Sequence, residues 1–324
     1  MNFKDKQSLK EYLKCKNAWY ESTPKTMLKF IDLVLVPNLY ENSFLSGNMT
    51  EEDRKNFYKN ISDNLDNEEF ANILSKKLDS IKDKIFNQNS LYAAGTCASE
   101  ENMSLAKLSM QDFVKSLNDL KINPNEKIEF TKNQNKSVAF IEPSRSNNEI
   151  MCVLDSKELS HDTSFEATCK FVNELFLIPT VREKNGAYGV RIYSDSANNK
   201  IWLCSNKDPN IGSTIEIFKQ IPQFIKTHNF ETDEIESTAK SFLKPLFWRN
   251  TLKLLSTQVE DIACRNEDYC DITNKNIKKM KNISEKEIKH HGEILEKLMK
   301  NMQVYALCGK LSESDEKFFN TIIK

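Results

Sequence analysis

Arg182-Glu183-Lys184-Asn185-Gly186-Ala187-Tyr188-Gly189, followed by Ile201-Trp202-Leu203-Cys204-Ser205-Asn206-Lys207-Asp208-Pro209-Asn210, is the stretch that decides the fold. An Arg and a Tyr six residues apart straddle a glycine turn. The apolar run after it has the length of a strand. Asp208 then Pro209 predicts a helix start, with an N-cap acid followed by proline at the first helical position.

Working outward, the spacing predicts further strands at Val138–Ile141, Ile150–Leu154, Ala187–Tyr193, Ile201–Cys204 and Val304–Cys308. Between them lie helices at about Thr163–Leu177, Pro209–Thr227, Thr232–Leu243, Thr251–Arg265 and Ser284–Met302. The last opens on a capping box, Ser284 with Glu287 three residues on. Pro222 falls inside the Pro209–Thr227 pattern and predicts a kink or break there. Helices that return repeatedly to a few strands describe an α+β fold, a layered sheet with helices packed on one face.

Toward the N-terminus the pattern is mostly helical. Leu9, Tyr12 and Leu13, and then Phe70, Ile73, Leu74, Leu78 and Ile81, keep the three-and-four rhythm of an apolar stripe. Thr50-Glu51-Glu52-Asp53 has the character of an acidic helix start. Ser90–Ala98 is a strand candidate and Asn102–Leu120 a helix. Residues 121–136, rich in Lys and Asn and carrying Pro124, predict a linker between a partial domain at 1–120 and a second domain at 137–324.

Composition excludes several functions. With 39% hydrophobic and 29% charged residues the chain is not of the disordered class. A net charge of −1 supplies no basic field for nucleic acid, and aromatic residues do not interleave with a basic stripe. No apolar run approaches the roughly 18 residues of a membrane span. The eight cysteines include no Cys-x-x-Cys pair, the nearest spacing being Cys264 to Cys270. That pattern points to free thiols in a reducing, intracellular compartment. The compartment is the cytoplasm if Met1 begins the natural polypeptide. It is a mitochondrion or another organelle if an N-terminal half outside this sequence carries a targeting signal.

The Arg182-to-Gly189 turn, the strand run after it and the Asp-Pro-Asn helix start resemble the C-terminal half of the insulinase/pitrilysin-type zinc metallopeptidases, closest to the presequence protease and falcilysin branch. The likeness covers roughly residues 40–310 and is strongest at 182–210. It implies one complete insulinase-like domain preceded by part of another. It also implies that Arg182 and Tyr188 reach a scissile peptide, with Gly186 and Ala187 lining the substrate. The physical role fits: a phenol gives a neutral hydrogen bond to a developing oxyanion, and a guanidinium gives charge and a fork for substrate backbone. The competing reading pairs Arg182 with a neighbouring acid such as Glu183 and makes Tyr188 a strand aromatic.

The zinc end of that chemistry needs His-x-x-Glu-His on a helix. The four histidines, His161, His228, His290 and His291, form no Glu-His or His-Glu dipeptide. Adjacent His290 and His291 diverge by about 100° on a helix and stand among Lys and Glu, which predicts a solvated face and no metal site in this chain. Zinc is then expected in a missing or partner half. The resemblance thus implies a non-catalytic half of a metalloendopeptidase acting on short unfolded peptides, its partners being the peptide substrate and a zinc-bearing half. The alternative is an inactive scaffold or peptide-binding subunit of the same fold.

Overall fold

The computed structural model describes residues 6–35, 50–89, 99–119, 137–196, 198–248 and 269–324. The strand expected at Ser90–Ala98, the linker at 121–136 and the helix at Thr251–Arg265 lie outside the described residues. The chain divides into two compact units. One holds residues 1–22, 52–129 and 245–274, the other 23–51, 130–244 and 275–324, so the chain passes between them more than once.

In the second unit, six strands form one mixed sheet. They are β1 (Val138–Ile141), β2 (Asn148–Asp155), β3 (Gly189–Asp195), β4 (Lys200–Asp208), β5 (Gln303–Cys308) and β6 (Thr321–Ile323), in the order β3-β4-β2-β5-β1-β6. β1 runs parallel to β5 and β6, and the other pairs are antiparallel. The five strands expected from the sequence are present. β6 was not expected.

Strand side chains alternate between faces, so the register sorts the core. Met151 opposite Cys204 and Tyr305, and Val153 opposite Trp202, share one face with Val138, Phe140 and Leu307. Helix α2 (Lys25–Phe30), which continues with wider π-type winding over Ile31–Leu35, brings Phe30 and Val34 onto that face. The Phe30 and Phe140 rings meet edge to face at 5.3 Å. On the opposite face Ile150, Cys152, Leu154, Ile192, Ile201 and Leu203 are buried. The helical layer there consists of α7 (Thr163–Phe171), α8 (Ile211–Thr227) and α11 (Glu285–Leu298), each presenting a buried apolar stripe. Full burial of side chains such as Phe165, Phe218 and Ile288 is worth about 1.5–3 kcal/mol each. The layered α+β fold is therefore the one observed.

Several boundaries differ from expectation. The helix beginning at Thr163 does not end at Leu177. It continues as a π-wound segment, Val172–Lys184, through Pro179. Wider winding tolerates the missing proline N–H, and the Thr180 hydroxyl donates to the Phe176 carbonyl. Helix α8 starts at Ile211 rather than Pro209 and runs unbroken through Pro222 to Thr227. Asp208 is the last residue of β4, not an N-cap. Its buried carboxylate accepts from the Ser205 and Thr214 hydroxyls and the Asn210 N–H, which fixes the strand-to-helix turn from outside the helix.

The first unit contains α1 (Lys6–Ser22), most of α3 (Glu51–Asn64), α4 (Glu68–Ile85) and α5 (Glu100–Lys115). Asn67 and Ser99 cap α4 and α5, accepting from the N–H groups of Phe70 and Asn102. Helix α5 ends at Lys115, five residues short of the expected Leu120. Leu13, Ile61 and Leu65 form the core, with Leu9, Tyr58, Phe70 and Leu74 against them. Ile73, Ile81, Ile85, Leu105, Leu108 and Phe113 on α4 and α5 are exposed.

Candidate functional site

Arg182 lies in the last turn of the π-wound segment, not in a loop. The segment stops because Gly186 takes φ +82°, a left-handed conformation that terminates helices. The Asn185 and Gly186 N–H groups bond the Arg182 carbonyl, and Ala187 N–H bonds the Val181 carbonyl at 3.2 Å. Buried Val181 and Ala187 anchor the two sides of the turn, while Arg182, Gly186 and Tyr188 face outward. Asn185 is tied to α8, its amide donating to Ser213 Oγ at 2.8 Å and its carbonyl accepting from Asn210 Nδ2 at 3.0 Å. Tyr188 N–H then bonds the Asn206 carbonyl, and pairing of β3 with β4 begins.

Tyr188 is 71% exposed, so its ring is not a core aromatic of the strand. No carboxylate pairs with Arg182 among the described residues, Glu183 included. Tyr188 thus leads into the edge strand with its ring outward, and Arg182 forms no ion pair among the described residues. Ala187, expected to line the substrate, is buried with its N–H bonded to the Val181 carbonyl, so it does not reach the surface of the turn.

Lys207, which the sequence did not single out, reaches this site. Its ammonium lies 4.9 Å from the Tyr188 ring centroid, a cation over an aromatic face. Its φ of 47° is left-handed, which costs an L-residue other than Asn, Asp or Gly about 1–2 kcal/mol. Further along the edge strand, Arg191 stands 4.6 Å from the Tyr193 ring, which stacks on Trp202. Burial pushes the Tyr193 phenol up to about 12, so it is a neutral donor at any ordinary pH. The outward N–H and C=O of Ile192 are taken by the Asn173 side chain, which blocks strand addition at that residue.

His291 corrects the sequence reading. His290 is exposed beside Glu293, as a solvated face requires, but His291 is buried. Its Nδ1 lies 2.8 Å from Thr168 Oγ1 and its Nε2 3.6 Å from Asp162 Oδ2. Ser284 caps α11 as expected, accepting from the Glu287 N–H, but the Glu287 carboxylate accepts from Ser164 Oγ at 2.8 Å rather than reaching back to Ser284. Burial alone would raise the Asp162 carboxyl, but hydrogen bonds from His291, Lys279 and Ser164 hold it well below the usual carboxylate range. Ligand atoms of Asp162, Glu287 and His291 come within 4.8 Å of one another. An ammonium already faces the cluster: Lys279 Nζ is 2.5 Å from Asp162 Oδ1. One imidazole and a resident ammonium do not match the two-imidazole zinc site described above, and the cluster is a staple joining α7, α11 and the helix that carries Lys279.

Cys152, Cys169, Cys204 and Cys308 are buried free thiols. Burial pushes Cys204 and Cys308 up to about 11, which removes them as nucleophiles.

A model of the PreP C-terminal domain family matches residues 143–244, a span that contains the whole Arg182-to-Asn210 region. No curated protein sequence matches the chain. Among solved structures, pitrilysin is similar with a TM-score of 0.57 at 12% identity, over 95% of this chain and 32% of that one. The periplasmic protease PqqL from Escherichia coli is similar with a TM-score of 0.51 at 12% identity, over 98% of this chain and 39% of that one. A protease from Helicobacter pylori gives 0.51 at 12% identity, over 64% of this chain and 52% of that one. At such identities the likeness is one of fold. The chain spans about half or less of the length of these proteases. Among the described residues, no helix is long and apolar enough to cross a membrane.

Proposed function

We propose that this chain is the non-catalytic C-terminal half of a presequence-protease-like zinc metalloendopeptidase. It closes one wall of a peptide site whose zinc is held by another polypeptide or by an N-terminal half. The observation that carries this reading is the turn itself. Within the span matched by the PreP C-terminal domain model, Arg182 and Tyr188 stand exposed, and no carboxylate pairs with Arg182 among the described residues.

In this reading the Tyr188 hydroxyl donates to the oxygen that gains charge as the scissile carbonyl is attacked. Arg182 holds substrate backbone with its planar fork. Gly186 lets the peptide approach the turn without side-chain obstruction, while buried Ala187 holds the turn in place. The zinc of the other half activates water and polarises the carbonyl, contributions of several kcal/mol that this chain does not make.

Two measurements on the purified chain test the reading. Alone it hydrolyses no peptide, and it co-purifies with a polypeptide bearing His-x-x-Glu-His when the two are co-expressed. Chelator-sensitive hydrolysis by the chain alone refutes the division of labour. A stable, inert chain that binds no such partner supports the scaffold alternative instead.

A further inference from the structure

The sheet is distorted at one point, and the distortion delivers a positive charge to Tyr188. β2 pairs with β4 through a register shift: Asn148 opposes Asp208 and Glu149 opposes Asn206. Lys207 is therefore the extra residue of a β-bulge, a device that re-aims a side chain. Its left-handed backbone suits Gly or Asn better than Lys, so the local conformation does not explain the residue.

The surroundings hold the bulge from both sides. Burial raises the Glu149 carboxyl, while Arg145 at 3.5 Å and the backbone and ammonium of Lys207 pull it down. Asp208, the next residue, is buried and anchored by Ser205, Thr214 and Asn210. A conformation that costs energy and is over-determined by its neighbours marks a functional position. What reaches the surface is an ammonium above the ring face of an exposed tyrosine; Glu149 feels its charge, but no carboxylate among the described residues forms an ion pair with it.

We propose that Lys207, held over the Tyr188 ring, seats a carboxylate of the bound peptide beside the scissile bond, and leaves the Tyr188 hydroxyl to the scissile carbonyl. The proposal rests on the reading of Tyr188 as a substrate contact and names the substrate chemistry preferred there. An ammonium donates and never accepts, so it suits an acceptor-only carboxylate, and the Tyr188 ring face beneath it fixes where that charge sits. A neutral amide at the same place accepts a hydrogen bond but brings no opposite charge to Lys207. The carboxylate is supplied either by the free C-terminus of a peptide or by an Asp or Glu side chain within it.

The test uses the full chain and three fluorescein-labelled forms of one short, flexible apolar peptide. The first has a free C-terminus and an internal Gln, the second an amidated C-terminus and the same Gln, the third an amidated C-terminus and Glu in place of Gln. Anisotropy titrations at low salt are expected to show one or both carboxylate-bearing forms binding about threefold to fivefold tighter than the neutral form, as an exposed ion pair allows. Which form gains identifies the source of the carboxylate. The preference is lost in Lys207→Met, kept in Lys207→Arg and eroded by salt. Lys207→Gly, which relieves the left-handed backbone, replaces Lys207→Met if the latter fails to fold. Equal binding of all three forms, weakened alike by Arg182→Ala, overturns the carboxylate seat and leaves the substrate-contact reading standing. A preference that survives loss of the Lys207 charge also overturns the seat. No binding of any form overturns both.

Discussion

Gly186 and Gly189 bracket Tyr188 and look interchangeable in sequence, yet the structure assigns them opposite responses to substitution. A Cβ built on Gly186 comes no nearer than 3.7 Å to its closest neighbour, Pro209 Cγ, and one on Gly189 no nearer than 3.9 Å to Asn206 Oδ1. Both contacts are ordinary, so neither alanine is excluded by crowding. The backbone separates them, because among the described glycines only Gly186 has positive φ, at +82°. Gly186→Ala therefore costs about 1–2 kcal/mol of left-handed strain. Gly189→Ala, in extended strand, is neutral or gains up to about 0.5–1 kcal/mol from reduced unfolded-state entropy. The expected gap between the two variants is about 2 kcal/mol, or roughly 4–8 °C in Tm for a unit of this size. Urea unfolding followed by circular dichroism reads it as a shift in midpoint at constant slope. Gly186→Ala indistinguishable from wild type, or costing less than Gly189→Ala, refutes the assigned turn geometry. The placement of Arg182 and Tyr188 would then fall with it.

Asp162→Asn keeps an oxygen to cap the α7 N-terminus but removes the charge and one acceptor facing His291 and Lys279, and is expected to cost about 1.5–3 kcal/mol at neutral pH. Because the folded-state pKa of Asp162 is lowered, its contribution is complete above the unfolded value near 4 and is lost as pH falls through the folded value. The gap between wild type and variant therefore narrows on acidification below about pH 4; a gap that widens contradicts the assignment. Arg182→Lys keeps the charge but not the planar fork, so peptide KM in an assembled peptidase should rise with Tm unchanged, and an unaltered KM refutes backbone binding by Arg182.

Much of the sheet was legible because its strands are short apolar runs. Val138–Ile141 and Ile201–Cys204 could scarcely be anything else in a chain with so few long apolar stretches. Thr321–Ile323 escaped because three half-exposed residues carry no period, and its pairing with β1 is a contact across most of the chain. The helix carrying Arg182 ran past its expected end because Leu177-Ile178-Pro179 breaks the 3.6 rhythm, and a π-wound segment follows a different one. Asp208 has the sequence context of an N-cap, but Ser205 and Thr214, which claim its carboxylate, meet it only once the fold has formed. His291 is the instructive case. Its neighbours in sequence are charged, yet Ile288, His291, Gly292 and Leu295 recur at the spacing of a buried stripe, and that signal was available. Nothing comparable marked Lys207, since a bulge belongs to the pairing of two strands and leaves no trace in one.

The central claim is that the exposed tyrosine of this turn acts on substrate in an assembled peptidase. Tyr188→Phe tests it most directly, because it deletes one hydroxyl and keeps the ring that lies beneath Lys207. Peptide turnover is measured in the complex with a zinc-bearing half, alongside melting temperature. The account predicts a fall of about 10²–10³ in turnover, the usual cost of losing a donor aimed at developing charge, with no change in Tm. Turnover equal to wild type in a fully assembled complex contradicts it, and makes the turn a structural element of a scaffold.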